Sequence, residues 1–151
     1  MRDQPLYQCD LRSQDPGYEE RIRARVSQRA EWVTLYKDVN RLDVCRLMAA
    51  HRYGLGTVEE DFGMAVAELV RAGTIVFVPQ SGGQIEIVGG DERFLYSTVD
   101  EAAEKIARTM QDPVLQKSLR VTLAPMRERF SSDRFVQDFR RIVRAAPVSR
   151  Q

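Results

Sequence analysis

The chain has 151 residues, 43% apolar and 30% charged, the mix of a globular domain large enough to bury a core. A formal net charge of +1, with no aromatics interleaved among Lys and Arg, excludes a field-driven nucleic-acid binder. No apolar run approaches the roughly 20 residues of a membrane span, the start MRDQPLYQCD has no apolar signal region, and Cys9 and Cys45 lack metal-ligand spacing, so a reduced cytoplasmic protein is expected.

In chain order, PLYQCDL suits a short strand, and SQDPG after it a turn. GYEERIRARVSQRA, residues 17–30, reads as a charged surface helix with few apolar positions, Tyr18, Ile22 and Val26. EWVTLYKDV, residues 31–39, is β-branched and aromatic with near alternation, which predicts a strand. Asn40 can cap a helix through RLDVCRLMAAHR, whose Leu42, Cys45 and Met48, with Val44 and Leu47 beside them, suit burial on one side. His51, the only histidine, falls at the end of that helix. RYGLGT is punctuated by glycine, a strand end or loop.

FGMAVAELVRAG predicts a helix closed by Gly73, with Met64, Val66 and Leu69 as packing residues. TIVFVP is a continuous apolar run, the mark of a strand buried on both faces of a parallel sheet. SGGQIEIVGG predicts a turn and a short helix or strand, with Asp91 and Glu92 in the turn beyond it, and FLYS another short strand. Ser97 or Thr98 followed by Glu101 forms a capping pattern for the next helix. Two more helices are expected at about 113–129 and 132–145. Alternating strands and helices imply an α/β fold with a Rossmann-like parallel sheet, right-handed crossovers and flanking helices.

Chemistry concentrates between Glu59 and Val88. Glu60 and Glu68 have seven residues between them, about 10 Å along a helix axis at 1.5 Å per residue. Carboxylates accept paired hydrogen bonds from vicinal hydroxyls, such as those of a ribose or a hexose. Between them, Phe62, Gly63 and Met64 place backbone N–H groups at a helix start, a favourable environment for an anion such as a pyrophosphate. Gly82 and Gly83 repeat the device after the buried strand, with Gln84 and Glu86 following. Both loops are expected at the carboxyl ends of strands, where open α/β sheets bind ligands.

These residues resemble a family. E-D-F-G-M-A-V-A-E is similar to the E-x7-E motif of the retaining group 1 glycosyltransferases, glycosyltransferase family 4. A-G-T-I-V-F-V-P-Q-S-G-G-Q-I-E-I-V resembles the family's "AAG.PVV....GG..EIV", with Gln84 where Pro is more usual. F-L-Y-S with DEAAEKIARTMQDP, and then F-S-S-D-R-F-V-Q-D-F, resemble its closing elements. The wording is nearest to the mannosyltransferases that extend the dolichol-linked core, and the resemblance runs from about Trp32 to Val143.

The resemblance implies the C-terminal, donor-binding domain of a two-domain GT-B enzyme over residues 1–151. It lacks the first strand and helix, with their diphosphate-neutralising Arg and Lys, and the N-terminal acceptor domain. Glu60 would hold and orient the donor sugar as the catalytic carboxylate, and Glu68 would hold the ribose. Backbone at Phe62, Gly63, Met64, Gly82 and Gly83 would meet sugar and phosphate, and the loop from Lys37 to Val39 would flank the base. The donor would be a UDP- or GDP-sugar, with no obligatory metal and no separate cofactor, and the isolated chain is expected to be inactive. A non-catalytic nucleotide-sugar-binding or interaction module is the alternative. From Arg120 to Gln151 eight Arg face three acids, Glu128, Asp133 and Asp138. That surface suits solvent, the absent domain, or the cytosolic face of an anionic membrane.

Overall fold

A computed structural model describes residues 5–7, 17–28, 33–36, 38–57 and 59–145. Four parallel strands form one sheet in sequential order: β1 (Pro5–Tyr7), β2 (Tyr53–Leu55), β3 (Ile75–Pro79) and β4 (Leu95–Tyr96). The register aligns Tyr53 with Pro5 on one side and Ile75 on the other, and Val78 with Leu95. β3 is the spine of the sheet. Ile75, Val76, Phe77 and Val78 have no solvent exposure, as a strand covered on both faces requires. Burying such side chains contributes about 1.5–3 kcal/mol each.

Seven helices connect and cover the strands among the described residues: α1 (Tyr18–Ser27), α2 (Arg41–Ala50), α3 (Met64–Ala72), α4 (Gln84–Ile87), α5 (Val99–Gln111), α6 (Pro113–Arg129) and α7 (Ser132–Ala145). α3, α4 and α6 lie against β3. α3 presents Val66, Leu69 and Val70 to the core, and α6 adds Leu119 and Leu123. The helix boundaries follow local chemistry. Asn40 accepts from the Asp43 amide to cap α2, Thr98 accepts from the Glu101 amide to cap α5, and Asp112 accepts from the amides of Val114 and Leu115 to cap α6. Glu101 answers Thr98 by accepting from the Ser97 amide at 2.8 Å. Gly73 closes α3 at φ 89°, its N–H reaching the Leu69 and Val70 carbonyls.

Several sequence expectations change. The residues described between Glu31 and Val39 form no strand. β1 already pairs with the side of β2 that such a strand would need, and Asp38 turns the chain at φ 52°. The alternation survives only as exposure, with Val33 and Leu35 half-buried and Thr34 and Tyr36 open. RYGLGT, by contrast, supplies a central strand. Its glycines hide the strand pattern, yet Gly54 is what lets α3 lie close, because a Cβ there would sit 3.0 Å from Leu69 Cδ1.

On α2 the buried side is Met48 with half-buried Val44 and Leu47; Leu42 and Cys45 are exposed, Cys45 as a free thiol. Met64 is likewise not a packing residue. It is 70% exposed, because it stands off the stripe of Val66, Leu69 and Val70. Cys9 lies outside the described residues. His51 caps α2 as expected, with its Nδ1 2.6 Å from the Leu47 carbonyl.

α7 buries none of its residues. Phe135, Val136, Phe139, Ile142 and Val143 form one exposed apolar stripe, with the rings of Phe135 and Phe139 stacked 6.1 Å apart. Arg134 and Arg141 pair with Asp138 on the polar side. No helix among the described residues is long and apolar enough to cross a membrane. The contrast between β3 and α7 sets a measurable difference. In urea unfolding, Phe77→Ala is expected to cost about 3–5 kcal/mol, whereas Phe139→Ala should stay within about 0.5 kcal/mol of the wild type. Equal effects would mean that α7 packs on this chain.

Candidate functional site

Parallel strands release their connections at one edge of the sheet, and there the chemistry assembles. β2 ends at Leu55 and leads through residues 56–63 into α3; β3 ends at Pro79 and leads through residues 80–83 into α4. The two loops are in backbone contact. The Gly83 N–H donates to the Glu60 carbonyl at 3.0 Å. A Cβ on Gly82 would lie 2.5 Å from that same carbonyl oxygen, and one on Gly83 would lie 1.9 Å from the Asp61 carbonyl oxygen. No side chain fits at either position. Gly82 also holds φ 71°, in the left-handed region that only glycine occupies readily.

Gly63 closes the contact from the other side. It sits at φ 82° immediately before α3, and a Cβ there would press on Gln84 Cβ at 3.2 Å and Ile87 Cδ1 at 3.4 Å. No side chain caps α3 and no acidic residue lies in its first turn, so the N–H groups there lack a side-chain cap. Glu60, Phe62, Gly63, Met64, Gly82 and Gly83 therefore share one patch. The Glu60 side chain is half-buried; Phe62 and Met64 are exposed.

Gln84 supports this patch from beneath. It is buried, donates from Nε2 to the Ser81 carbonyl at 3.4 Å, and places Oε1 3.3 Å from where a Gly56 Cβ would stand. Tyr96 donates its hydroxyl to the Gly56 carbonyl, and burial raises its phenol above the usual range. The Ser97 hydroxyl bonds Gln80 Oε1 at 3.0 Å, joining β4 to the second glycine loop. The edge of the ring of Phe62 meets Phe130 at 5.8 Å, and Arg129 both covers Phe130 and pairs with Glu86 at 2.6 Å. The end of α6 thus meets the first loop through Phe130 and α4 through Arg129.

Glu68 lies in the second turn of α3, beside the N-terminus of α2, and its Oε1 is 2.6 Å from Arg41 Nη2. That bond raises the Arg41 guanidinium above its ordinary value. Arg41 follows the turn of Asp38, Val39 and Asn40, so the segment expected to flank a base adjoins the carboxylate expected to hold a ribose. Val39 is half-buried; Lys37 lies outside the described residues. Sequence reasoning missed Arg41, Gly56, Tyr96 and Phe130 as parts of this neighbourhood. The two glycines around Leu55 were the available signal for Gly56; the others meet the site only through tertiary contact.

A separate hollow of about 480 Å³ lies at the opposite edge of the sheet, lined in part by His51, Arg52, Gln116 and Arg120. There Arg120 donates to the Gly73 carbonyl at 3.2 Å, answering the negative end of α3. Arg120 thus serves the fold.

A parallel sheet flanked by helices, with glycine loops at its carboxyl edge, defines a Rossmann-like α/β domain. Among solved structures this fold recurs in sucrose-phosphate synthase from Thermosynechococcus elongatus, with a TM-score of 0.65 and 21% identity over 94% of this chain. The chain therefore shares the fold of part of that protein, and it spans 39% of that protein's length. Compared by sequence, it matches no protein-family model and no curated protein.

The interlocked glycines give a direct check. Gly83→Ala forces its new methyl onto the Asp61 carbonyl and should destabilise the chain by about 1–3 kcal/mol, as overpacking does. Thermal unfolding reads this out. A variant that melts with the wild type would show that the loops have room to part.

Proposed function

We propose that this chain is the donor-binding domain of a retaining glycosyltransferase that uses a nucleotide-diphosphate sugar, acting together with an acceptor domain. The observation that carries the reading is the patch at the sheet's carboxyl edge. Two glycine loops bring the uncapped N-terminus of α3 and the half-buried Glu60 together, and Glu68, bound by Arg41, follows in the second turn of the same helix. The uncapped N–H groups of α3 suit a diphosphate, Glu60 suits the hydroxyls of the donor sugar, and Glu68 those of the ribose. The turn from Lys37 to Val39 would flank the base.

In the reaction, the acceptor hydroxyl attacks the anomeric carbon from the face that the diphosphate leaves, the bond from that carbon to the diphosphate oxygen breaks, and the hydroxyl proton passes to the departing phosphate oxygen. Charge builds on the departing phosphate oxygen, and the first turn of α3 stabilises it with dipoles that are already oriented. Glu60 orients the sugar by accepting hydrogen bonds from its hydroxyls. Dolichol-core mannosyl transfer is the most specific version of the reading.

The unpartnered stripe of α7 is assigned to the acceptor domain, which would cover it in a longer protein. An anionic membrane surface is the other occupant consistent with its arginines. A binding module without turnover is the alternative function. It would share the nucleotide site and differ in giving no transfer when the acceptor domain is present.

Titration of the chain with UDP, GDP and ADP, followed by calorimetry or thermal shift, tests the donor site. One nucleotide should stabilise the protein, and Glu68→Ala should weaken its binding by about 1–3 kcal/mol, the range for a lost charged hydrogen bond. Absence of binding by all three would defeat the proposal.

A further inference from the structure

Arg41 reaches from the start of α2 to a carboxylate on α3. Its side chain is 70% exposed, yet Nη2 is 2.6 Å from Glu68 Oε1 on a neighbouring helix. Such exposed pairs contribute little to stability. Two local features deliver the guanidinium there. Asp38, the one non-glycine residue at positive φ among the described residues, reverses the chain at 52°. Asn40 then caps α2 and donates from Nδ2 to Asp43 at 2.6 Å, fixing Arg41 as the first helical residue. Left-handed non-glycine residues of this kind gather at ligand sites, where the surrounding structure holds them.

The consequence falls on Glu68. Held at Oε1 by Arg41, the carboxylate keeps Oε2 and its remaining lone pairs for a ligand, since a carboxylate offers about four acceptor positions. An unheld glutamate on a helix surface samples several rotamers, and ordering them on binding weakens affinity. We propose that Arg41 is a specificity-determining positioning residue, which presets Glu68 to accept the 2′,3′-diol of a ribonucleotide and so makes the site favour ribose over 2′-deoxyribose. This rests on the donor-site reading above and adds to it the residue that selects the sugar of the nucleotide.

The test is calorimetric titration of the chain with UDP, GDP and ADP and with their 2′-deoxy forms. The variants are Arg41→Ala, Arg41→Lys and Glu68→Gln, each with a melting curve to confirm folding. Wild type should prefer the ribonucleotide by about tenfold, the equivalent of one charge-assisted hydrogen bond. Arg41→Ala should lose most of that preference at an unchanged melting temperature, and Arg41→Lys should keep part of it. A full preference in Arg41→Ala, together with its loss in Glu68→Gln, overturns the role of Arg41 and leaves the donor site standing. Binding without any ribose preference in wild type also overturns it. If wild type binds none of the nucleotides, the donor-site reading fails and this inference falls with it.

Discussion

Two loops share one volume at the carboxyl edge of the sheet, and that exclusion constrains the rest of the structure. The main chain of Glu60 and Asp61 fills the space where side chains at positions 82 and 83 would stand. The Gly83 N–H turns the approach into a hydrogen bond, so the proximity is attractive as well as permitted. Because the contact is backbone to backbone, it fixes the loops relative to each other without relying on mobile side chains. The start of α3 inherits that position. Its N–H groups, without a side-chain cap, then point from a defined place, which an anion-binding turn needs and a flexible loop would not supply.

The opposite end of α3 is held with similar care. Gly73 turns the chain at φ 89°, Thr74 donates its hydroxyl to the Met48 carbonyl at 3.2 Å, and Arg120 reaches the Gly73 carbonyl. Between these ends the helix packs Val66, Leu69 and Val70 into the core beside β3. Glu68 leaves the same helix on the side facing α2, where Arg41 meets it. A single nine-residue helix therefore carries the uncapped N-terminus, the core stripe and the paired carboxylate.

Away from this centre the chain is less self-contained. The end of α6 touches Phe62 through Phe130 and α4 through Arg129, but α7, immediately beyond, turns five apolar residues outward. The fold it shares with sucrose-phosphate synthase occupies 39% of that protein's length.

Much of this was legible in the residues themselves. The apolar run of β3, the caps at Asn40 and Thr98, the terminating Gly73 and the helix boundaries near 113–129 and 132–145 follow from local chemistry that acts within a few positions. So does the grouping of Glu60, Phe62, Gly63 and Met64 at a helix start, since they adjoin in sequence. Tertiary structure decided what depends on partners far along the chain. It left residues 33–36 without a strand because β1 had taken the ladder position, and it made RYGLGT a strand because Gly54 admits Leu69. It set Arg41 against Glu68 and Phe130 against Phe62, pairs separated by tens of residues. It also gave Gly82 and Gly83 their steric reason. Glycine in a sequence signals only that a side chain is missing; which atoms occupy the space is settled when the chain packs.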